Sequence, residues 1–337
     1  MKSNYQAWEI RLQDFEDQKT DIDRLKFLLN FAVLAPSSHN SQPWKFIIKK
    51  NNITIKPEFG RALASSDKNH RQLFISIGCA LENLLVAADY YNFKAISTYG
   101  LGVSTNFQKK SFLSFHHKDH LLFSIPKRRT NRNEYRSQIP DQAFLDRIKS
   151  LTQTNIQINF VSEKSKKDAI ANIVNKAMMT AMDDKEFRKE LSQYVKSNIT
   201  HSPIGMPGTG LGIPTPVSII APIMLRYINM SKLSKKKDDK LLKEHTPLFG
   251  IISTSEDREK DWIKTGQLYE RIALEAERCN IKTHPLAAAI QIGEFYKELQ
   301  NILQTAFRPQ FFFRLGYYDK IVSPSPRLTA IKLTETI

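Results

Sequence analysis

The chain of 337 residues contains only two cysteines, Cys79 and Cys279. Both lie within apolar helical patterns, without a CxxC spacing or a second pair, which excludes a disulfide framework and a cysteine-based zinc site. Two isolated thiols are typical of a protein in a reducing compartment. We expect both side chains to be buried.

Long hydrophobic runs are also missing. The N-terminal segment, MKSNYQAWEIRLQDFEDQ, has no apolar signal core, and the longest apolar stretch is VSIIAPIML at 217–225. That stretch is too short to span a bilayer and contains Pro222. The sequence therefore predicts a cytoplasmic protein with no membrane partner.

Acidic residues are scarce: 34 Asp and Glu face 50 Lys and Arg, and the net charge is +16. Such a balance favours anionic ligands, nucleic acid or an acidic surface. The lysine clusters at 164–167 and 234–240 lack interleaved aromatic residues, so we interpret most of this charge as solubility charge and predict no nucleic-acid partner. An apolar fraction of 41% with 20 Phe excludes intrinsic disorder as the main state.

Several catalytic motifs are absent from the sequence. There is no Ser-His-Asp set, nucleophile elbow or P-loop. The run GTGLG at 208–212 is not GxGxxG and follows no predicted strand, which argues against dinucleotide binding there. In HHKDH at 116–120, His116 and His120 would share one face of a helix, as a metal site requires, but Ser111 to His117 alternates like a strand, which splits the neighbours His116 and His117 across two faces. We therefore expect no metal site.

The chain contains an internal echo at an offset of 188 residues. GCALENLLVAADYYNFKA at 78–95 matches GQLYERIALEAERCNIKT at 266–283, with Gly, Glu, Ala, Asn and Lys repeated in register. Apolar spacing predicts a buried helix in each copy, ended by Asn92 and Asn280, because Asn tolerates the left-handed conformation. The runs KFIIKK and NITIKP predict strands before the first helix, and IQINFVS and PLFGIIST predict strands before the second. These patterns predict two related halves, 1–125 and 126–337.

A polar loop, APSSHNSQPWKF at 35–46, leads into the first strand of the first half only. The second half has the short TQTNIQI instead, so a ligand held by this loop is held once per chain. The segment RRTNR places Arg128, Arg129 and Arg132 beside Thr130, a combination that suits a phosphate, because guanidinium groups donate paired charge-assisted hydrogen bonds. A solvated basic linker is the alternative for this segment.

These two segments resemble those of the flavin-dependent nitroreductase superfamily. PSSHNSQPW is similar to its flavin-contacting segment and RRTNRNEY to its arginine-rich FMN-phosphate segment. In that family two identical subunits share each flavin, and each motif comes from a different subunit. Here both motifs lie in one chain, in reversed order, which resembles the Acg-like branch of fused pseudo-dimers with one FMN.

The resemblance implies an α/β (α+β) fold, with a central mixed, mostly antiparallel sheet flanked by helices and duplicated in one chain. It implies that Pro36, Ser37, Ser38 and Asn40 contact the ring and ribityl chain, while Gln42 and Trp44 hold the loop. Its cofactor-binding set is completed by phosphate-binding and ring-facing positions: Arg128, Thr130, Arg132, Arg327, Pro285, Leu286, Ala287 and Ala288. The residues at 287 and 288 are alanines where many family members have Glu and Gly, so only backbone contact is expected there.

The function implied by the resemblance is ping-pong hydride transfer from NAD(P)H through FMN to a small electron-poor acceptor, a nitroaromatic or a quinone. No catalytic side chain is required, because the cofactor carries the chemistry. The alternative is an FMN-sequestering protein in which a Gly- and Pro-rich lid at 201–225 closes the site. The chain is expected to act as a monomer with internal pseudo-two-fold symmetry or as a homodimer.

Overall fold

The computed structural model of this chain describes residues 3–111 and 119–337. Its strands form two large sheets and one two-stranded sheet, with helices between the strands along the chain. The α-helices are α1 (Asp21–Ala32), α2 (Arg71–Tyr90), α3 (Gln142–Ser150), α4 (Lys164–Asp183), α5 (Lys185–Tyr194), α6 (Thr215–Tyr227), α7 (Ser231–Lys243), α8 (Glu259–Arg278), α9 (Ala288–Gln291), α10 (Phe295–Leu303) and α11 (Ala330–Leu333). The strands are β1 (Trp44–Lys49), β2 (Asn52–Pro57), β3 (Phe93–Gly100), β4 (Gly102–Lys109), β5 (Ile156–Val161), β6 (Val195–Lys196), β7 (Met206–Pro207), β8 (Leu248–Thr254), β9 (Ile281–Pro285), β10 (Arg308–Tyr317) and β11 (Thr334–Thr336).

Each half of the chain builds a mostly antiparallel sheet. The first sheet has the order β11-β1-β2-β4-β3, in which only β11 runs parallel to its neighbour, and the second has the order β5-β8-β10-β9. The four strands of the second sheet are antiparallel throughout. Helices pack against both sheets, so the predicted fold class is confirmed.

The predicted strands are present. β1 and β2 coincide with KFIIKK and NITIKP within one residue, and β5 and β8 lie within IQINFVS and PLFGIIST. β8 is buried along its whole length, because it lies between β5 and β10 and is covered by helices. Continuous burial explains its unbroken apolar run, whereas the alternating burial of β2 follows from one face being closer to solvent.

The two echoing segments form α2 and α8, which cross at the centre of the molecule. A Cβ atom on Gly78 would lie 1.9 Å from the backbone oxygen of Ile263, and one on Gly266 would lie 1.9 Å from that of Ile75. Each glycine therefore faces the residue that lies three positions before the other glycine. This reciprocal pattern is what a local pseudo-two-fold axis between the two helices produces. The predicted left-handed ends are confirmed at Asn92 (φ 60°) and Asn280 (φ 57°).

α2 is the one helix among the described residues that is long and apolar enough to cross a membrane by length and composition. In its apolar 18-residue stretch, 83% is buried inside the protein. It carries Cys79, which is buried as predicted. Cys279 is only partly buried, because it caps the end of α8 at the protein surface. The prediction of burial was therefore wrong for the second thiol.

The C-terminal segment returns to the first sheet. Phe46, Ile47 and Ile48 of β1 pair in parallel with β11, and the Ile337 nitrogen donates to the Ile48 oxygen at 2.9 Å. On its way the chain passes the polar loop, where Arg327 is buried. The division at residues 125 and 126 stays a prediction.

Candidate functional site

The polar loop has an unusual backbone. His39, Asn40 and Gln42 have φ values of 52°, 56° and 51°, in the left-handed region that residues other than glycine seldom adopt. The Gln42 nitrogen donates to Ser37 Oγ at 2.9 Å and closes the turn. Backbone conformations of this kind cost of order 1–3 kcal/mol each and cluster at functional sites.

Two amide side chains fasten this loop to distant segments. Asn40 Nδ2 donates to the oxygens of Gly205 and Pro326, both at 2.9 Å, and its Oδ1 accepts from Arg327. Gln42 Nε2 donates to the Pro203 oxygen at 2.7 Å. Asn40 therefore has its amide donors and its oxygen engaged by the protein, and the structure places neither amide on the cavity wall described below. The predicted contact of Asn40 with the ring stays a prediction.

Arg128 and Arg327 meet behind the loop. Arg128 Nη2 and Arg327 Nη2 both donate to the Leu34 oxygen, at 3.3 and 3.4 Å, and Arg128 Nε lies 3.0 Å from Glu270 Oε1. The predicted arginine segment and the polar loop thus come together, although these two arginines do not themselves line the cavity.

Positive charge exceeds negative charge in this buried cluster. Burial and repulsion from Arg128 and Arg129 lower the pKa of Arg327 to about 9, and burial followed by repulsion from Arg128 lowers the pKa of Arg129 to about 10. Burial raises the pKa of Glu270 to about 7, against the opposing effect of Arg128. Arg128 Nη1 and Arg327 Nε are buried without a hydrogen-bond partner among the described residues. A bound dianion would supply the missing acceptors and charge.

A cavity of about 380 Å³ opens in front of the loop, between the two halves. This volume lies within the ~300–1,000 Å³ range of small-molecule and cofactor pockets. The predicted residues that line it come from three segments: Pro36, Ser37, Ser38, Thr130, Arg132, Pro285, Leu286, Ala287 and Ala288. The predicted residues outside the lining are Asn40, Gln42, Arg128 and Arg327.

The arginine segment is held beside β9 by main-chain contacts. Thr130 forms a parallel β-bridge with Thr283, and the Asn131 nitrogen donates to the Thr283 oxygen at 3.0 Å. Because β9 runs on to Pro285, this pairing brings residues 130–132 and 285–288 to one wall. Arg132 Nη1 donates to the Gly210 oxygen at 3.1 Å, and burial lowers the pKa of Arg132 to about 10.

His284 was not identified from the sequence. Arg314, a fully buried residue of β10, donates from Nε to His284 Nδ1 at 3.0 Å and from Nη2 to the Asn133 oxygen at 2.8 Å. Because an arginine only donates, Nδ1 must be unprotonated and the neutral ring carries its proton on Nε2. Burial, with repulsion from Arg314 and Arg132, holds the pKa of His284 well below its usual range. His284 thus offers the cavity a neutral imidazole.

A second polar group on the cavity wall joins the loop to α5. Ser66 Oγ donates to Glu190, and His39 Nε2 lies 3.4 Å from the same hydroxyl. The Ser65 and Ser66 nitrogens also donate to the Glu190 carboxylate, at 2.8 and 2.9 Å. Burial lowers the pKa of His39 to about 4, so this ring is neutral near pH 7. Sequence reasoning included His39 in the loop but gave no signal for Ser66 or Glu190, which lie far from it along the chain.

The end of the cavity away from the polar loop is mostly apolar. Its apolar walls come from α4, α5, α7 and the residue after α9: Val174, Met178, Ala181, Phe187, Leu241, Leu242 and Ile292. The helices α4 and α7 also place the polar residues Asn175 and Asp238 on the lining. Met206 and Leu211, from the Gly- and Pro-rich segment, also line the cavity, and the Gly205 nitrogen donates to the Asn40 oxygen at 3.3 Å. That segment therefore forms part of the cavity wall, whereas α6 contributes no lining residue among those described. The lid at 201–225 stays a prediction.

The histidine-rich run is only partly described. His116 and His117 lie outside the described residues, and His120 Nε2 lies 3.2 Å from Asp89 Oδ2. Within residues 3–111 and 119–337, no group of three or more His, Cys, Asp or Glu side chains is arranged to hold a metal ion.

Sequence comparison confirms the resemblance of this chain to the nitroreductase superfamily. It is 21% identical over 94% of its length to "Putative NAD(P)H nitroreductase Rv3131" of Mycobacterium tuberculosis (strain ATCC 25618 / H37Rv), and covers 92% of that protein. It is 20% identical over 92% of its length to "Putative NAD(P)H nitroreductase acg" of the same organism, and covers 94% of it. No family model matches the chain.

Solved structures show a weaker likeness. The FMN and NADPH-dependent nitroreductase NfnB from Sphigopyxis sp. strain HMH aligns with 64% of this chain and 97% of its own, with a TM-score of 0.43 and 13% identity. A nitroreductase-like family protein from Bacillus cereus aligns with 67% of this chain and 99% of its own, with a TM-score of 0.39 and 12% identity.

Proposed function

We propose that this protein is an FMN-binding oxidoreductase of the nitroreductase type, which transfers hydride from NAD(P)H to a small electron-poor acceptor by a ping-pong mechanism. The observation that carries the proposal is the meeting of the polar loop, residues 130–132 and residues 285–288 at one cavity. Similarity to proteins named as NAD(P)H nitroreductases over nearly the whole chain supports it.

The residues present fit FMN in charge and in donor type. Arg128 and Arg327 have buried donors without partners, as a phosphate dianion requires, and Arg132 and Thr130 add donors from the cavity wall. Ser37 and Ser38 offer hydroxyls for the ribityl chain. Bound FMN would supply two-electron hydride chemistry at its ring.

The chain's own contribution is to orient the cofactor and limit the water around it. Residues 285–288 present main chain and small side chains to the cavity, so a flat ring can approach the backbone closely. Met206 and Leu211 cover the opening, and Arg132 ties this cover down through Gly210. His284 adds a neutral ring beside Thr130, held in one tautomer by Arg314.

The apolar end of the cavity indicates the class of acceptor. Val174, Phe187 and Leu242 present apolar side chains to this end, and Asp238 is the acidic residue on the lining. A nitroaromatic or a quinone can bury its ring there, whereas an anionic acceptor would lose its hydration and be repelled by Asp238.

Two measurements test this function on the full chain. The purified protein, after reconstitution with FMN and gel filtration, should show flavin absorption bands in the near ultraviolet and the blue. On anaerobic mixing with NADPH the yellow colour should bleach within seconds to minutes, and added quinone should restore it. A protein that retains no FMN contradicts the proposal, and one that retains FMN but stays yellow for hours is a flavin-sequestering protein instead.

A further inference from the structure

Helix α6 has its apolar side on the outside of the molecule. Its buried positions are occupied by small residues, Ser218 and Ala221, while Ile219, Ile223 and Tyr227 are 54%, 64% and 72% exposed. A helix on the surface of a soluble protein normally shows the opposite arrangement. The residues that share this exposed apolar surface, which we call the α6 face, are Val217, Ile219, Ile220, Ile223, Tyr227 and Ile228.

The α6 face is continuous. Ile220, Ile223 and Tyr227 follow one another at helical spacings of three and four residues, and Ile219 neighbours Ile223 on the same side. The opposite side of α6 packs against α5. Large contiguous apolar surfaces of this kind mark sites of interaction with another molecule or with a membrane.

Basic residues follow the α6 face along the chain. Arg226 is exposed near the end of α6, and α7 begins at Ser231, with Lys235, Lys236 and Lys237 exposed along it. Residues 215–230 contain no Asp or Glu, although Asn229 donates to Asp183, and the whole chain carries a net charge of +16. This excess of positive charge favours a partner that is apolar in its interior and negatively charged at its margin.

We propose that the α6 face and the lysines of α7 dock on the surface of an anionic lipid bilayer. Apolar side chains, a tyrosine and a basic border together are the features of interfacial helices that bind anionic lipids. With 13 residues, α6 is about 20 Å long and cannot cross a hydrocarbon core of about 30 Å, so it lies in the interface. The proposal departs from the prediction of no membrane partner, which rested on the lack of a spanning segment.

Charge argues against a second copy of this chain as the occupant. In a two-fold interface the same surface meets itself, so both sides of the interface carry the same excess of positive charge and neither supplies an Asp or Glu from residues 215–230. Like charges brought together in this way weaken association, whereas an anionic bilayer attracts each of them.

Docking in this orientation would bring the cavity close to the membrane. Helix α7 carries the exposed lysines in its first half, and its Leu241 and Leu242 line the apolar end of the cavity. A lipophilic acceptor dissolved in the bilayer, such as a quinone with an apolar tail, then reaches that end without crossing much water. This consequence rests on the proposed function, but the docking itself does not.

The test is vesicle flotation of the full chain, with and without bound FMN. Vesicles of phosphatidylcholine with phosphatidylglycerol should bind the protein, pure phosphatidylcholine vesicles should not, and added salt should weaken the binding. The variant K235Q/K236Q/K237Q should bind about 100-fold more weakly, because each lysine near an anionic surface contributes about 1 kcal/mol. The variant I219E/I223E should lose at least about tenfold, because it removes the apolar contact.

Matched controls change equivalent residues elsewhere. Ile96 on β3 is 53% exposed, and Lys49, Lys56 and Lys94 are exposed on the first sheet. The variants I96E and K49Q/K56Q/K94Q should bind anionic vesicles like the unchanged chain. Circular dichroism confirms that each variant is folded before flotation.

Three outcomes would overturn the docking proposal. These are no binding to anionic vesicles, an equal loss in the control variants, and concentration-dependent self-association that I219E/I223E abolishes. The flavin spectrum and the reaction with NADPH are measured separately without vesicles. Failure of docking therefore leaves the proposed oxidoreductase function untouched, and failure of FMN binding leaves the flotation result interpretable.

Discussion

At the scale of single residues, the carbonyl oxygen of Leu34 accepts hydrogen bonds from both Arg128 and Arg327. Two guanidinium groups on one neutral acceptor repel each other, and the nearby Glu270 balances only one of them. The cluster holds its geometry because Arg327 is also tied to Asn40 and to the Ala35 oxygen. It is therefore organised for an anion before the anion binds, which lowers the cost of ordering on binding.

Replacing Arg327 with glutamine should weaken FMN binding by roughly 10- to 100-fold. Each charge-assisted hydrogen bond contributes about 1.5–3 kcal/mol, and the substitution removes the charge while retaining an amide donor. FMN affinity is measured by the quenching of its fluorescence on titration. Arg308→Gln is the control, because Arg308 pairs with Asp257 and makes no contact with the cluster of Arg128, Arg327 and Glu270 among the described residues; it should lower stability without changing FMN affinity. Equal FMN affinity in R327Q and the unchanged chain would contradict the assignment.

His39 should make the protein sensitive to acid. In the folded chain burial lowers its pKa to about 4, from 6.5, with Glu190 opposing and Arg132 assisting this shift. The stability provided by the neutral ring is complete above pH 6.5 and is lost as the pH falls towards 4, because only the unfolded chain takes up the proton in that interval. The full effect is about 3 kcal/mol.

Urea unfolding between pH 7 and pH 4 measures this effect in the variant His39→Asn. Asparagine tolerates the left-handed backbone at this position, so the loop is preserved. The free energy of unfolding of H39N should fall less steeply below pH 6.5 than that of the unchanged chain. His201→Asn, at an exposed position, should follow the unchanged chain. If the free energy of unfolding fell equally steeply below pH 6.5 in H39N and in the unchanged chain, His39 would not be held neutral.

At the scale of elements, the crossing of α2 and α8 depends on two glycines. A Cβ at Gly78 or Gly266 would lie 1.9 Å from a backbone oxygen of the facing helix, and backbone cannot move aside as a side chain can. Cys79 and Tyr269 on the same two helices line the cavity. The distance between the helices is therefore coupled to the shape of the site.

Gly78→Ala and Gly266→Ala should each lower the free energy of unfolding by about 3 kcal/mol or more, because overpacking by even one methyl group typically costs about 1–3 kcal/mol where the core can adjust. Both should also weaken FMN retention. Chemical unfolding and gel filtration of the reconstituted protein measure the two effects. Gly100→Ala is the control, since a Cβ there meets nothing within 4 Å; a similar small loss in all three variants would contradict close helix contact.

At the scale of the whole molecule, the sequence predicts those parts of the fold and site that are local. The repeat aligns Gly78 with Gly266 and predicts that both helices are buried and end at an asparagine, because helix burial and left-handed caps are short-range signals. The polar loop and residues 128–132 are likewise recognisable as continuous segments. Contacts between segments that are distant in the sequence are not recognisable in this way. Arg314 donates to His284 from a neighbouring strand, and Glu190 accepts from Ser66, which lies 124 residues away.

Two other features escape sequence reasoning for the same reason. From the sequence, the apolar stretch at 217–225 is only too short to span a bilayer, and packing alone reveals that its small residues face inwards while its isoleucines face outwards. The final residues carry no strong strand signal, because three residues pair with β1 only when the first sheet already exists.

Ending the chain after Leu333 should destabilise the first sheet and the site together. The change removes β11 and its parallel hydrogen bonds to β1, including that from Ile337 to Ile48, at about 0.5–1.5 kcal/mol each. It also leaves β1 as an open edge prone to association. Unfolding curves and light scattering measure both effects. The control T336A/I337S changes exposed side chains but keeps the backbone of β11, and should behave like the full chain.

Because β11 and Arg327 complete the sheet and loop built from residues 34–57, the first lobe depends on residues that are synthesised long after it has begun. A nascent chain on the ribosome would carry an incomplete cofactor site and an open sheet edge until residues 327–336 had emerged from the exit tunnel. The flavin could then be captured only after these two distant segments had met.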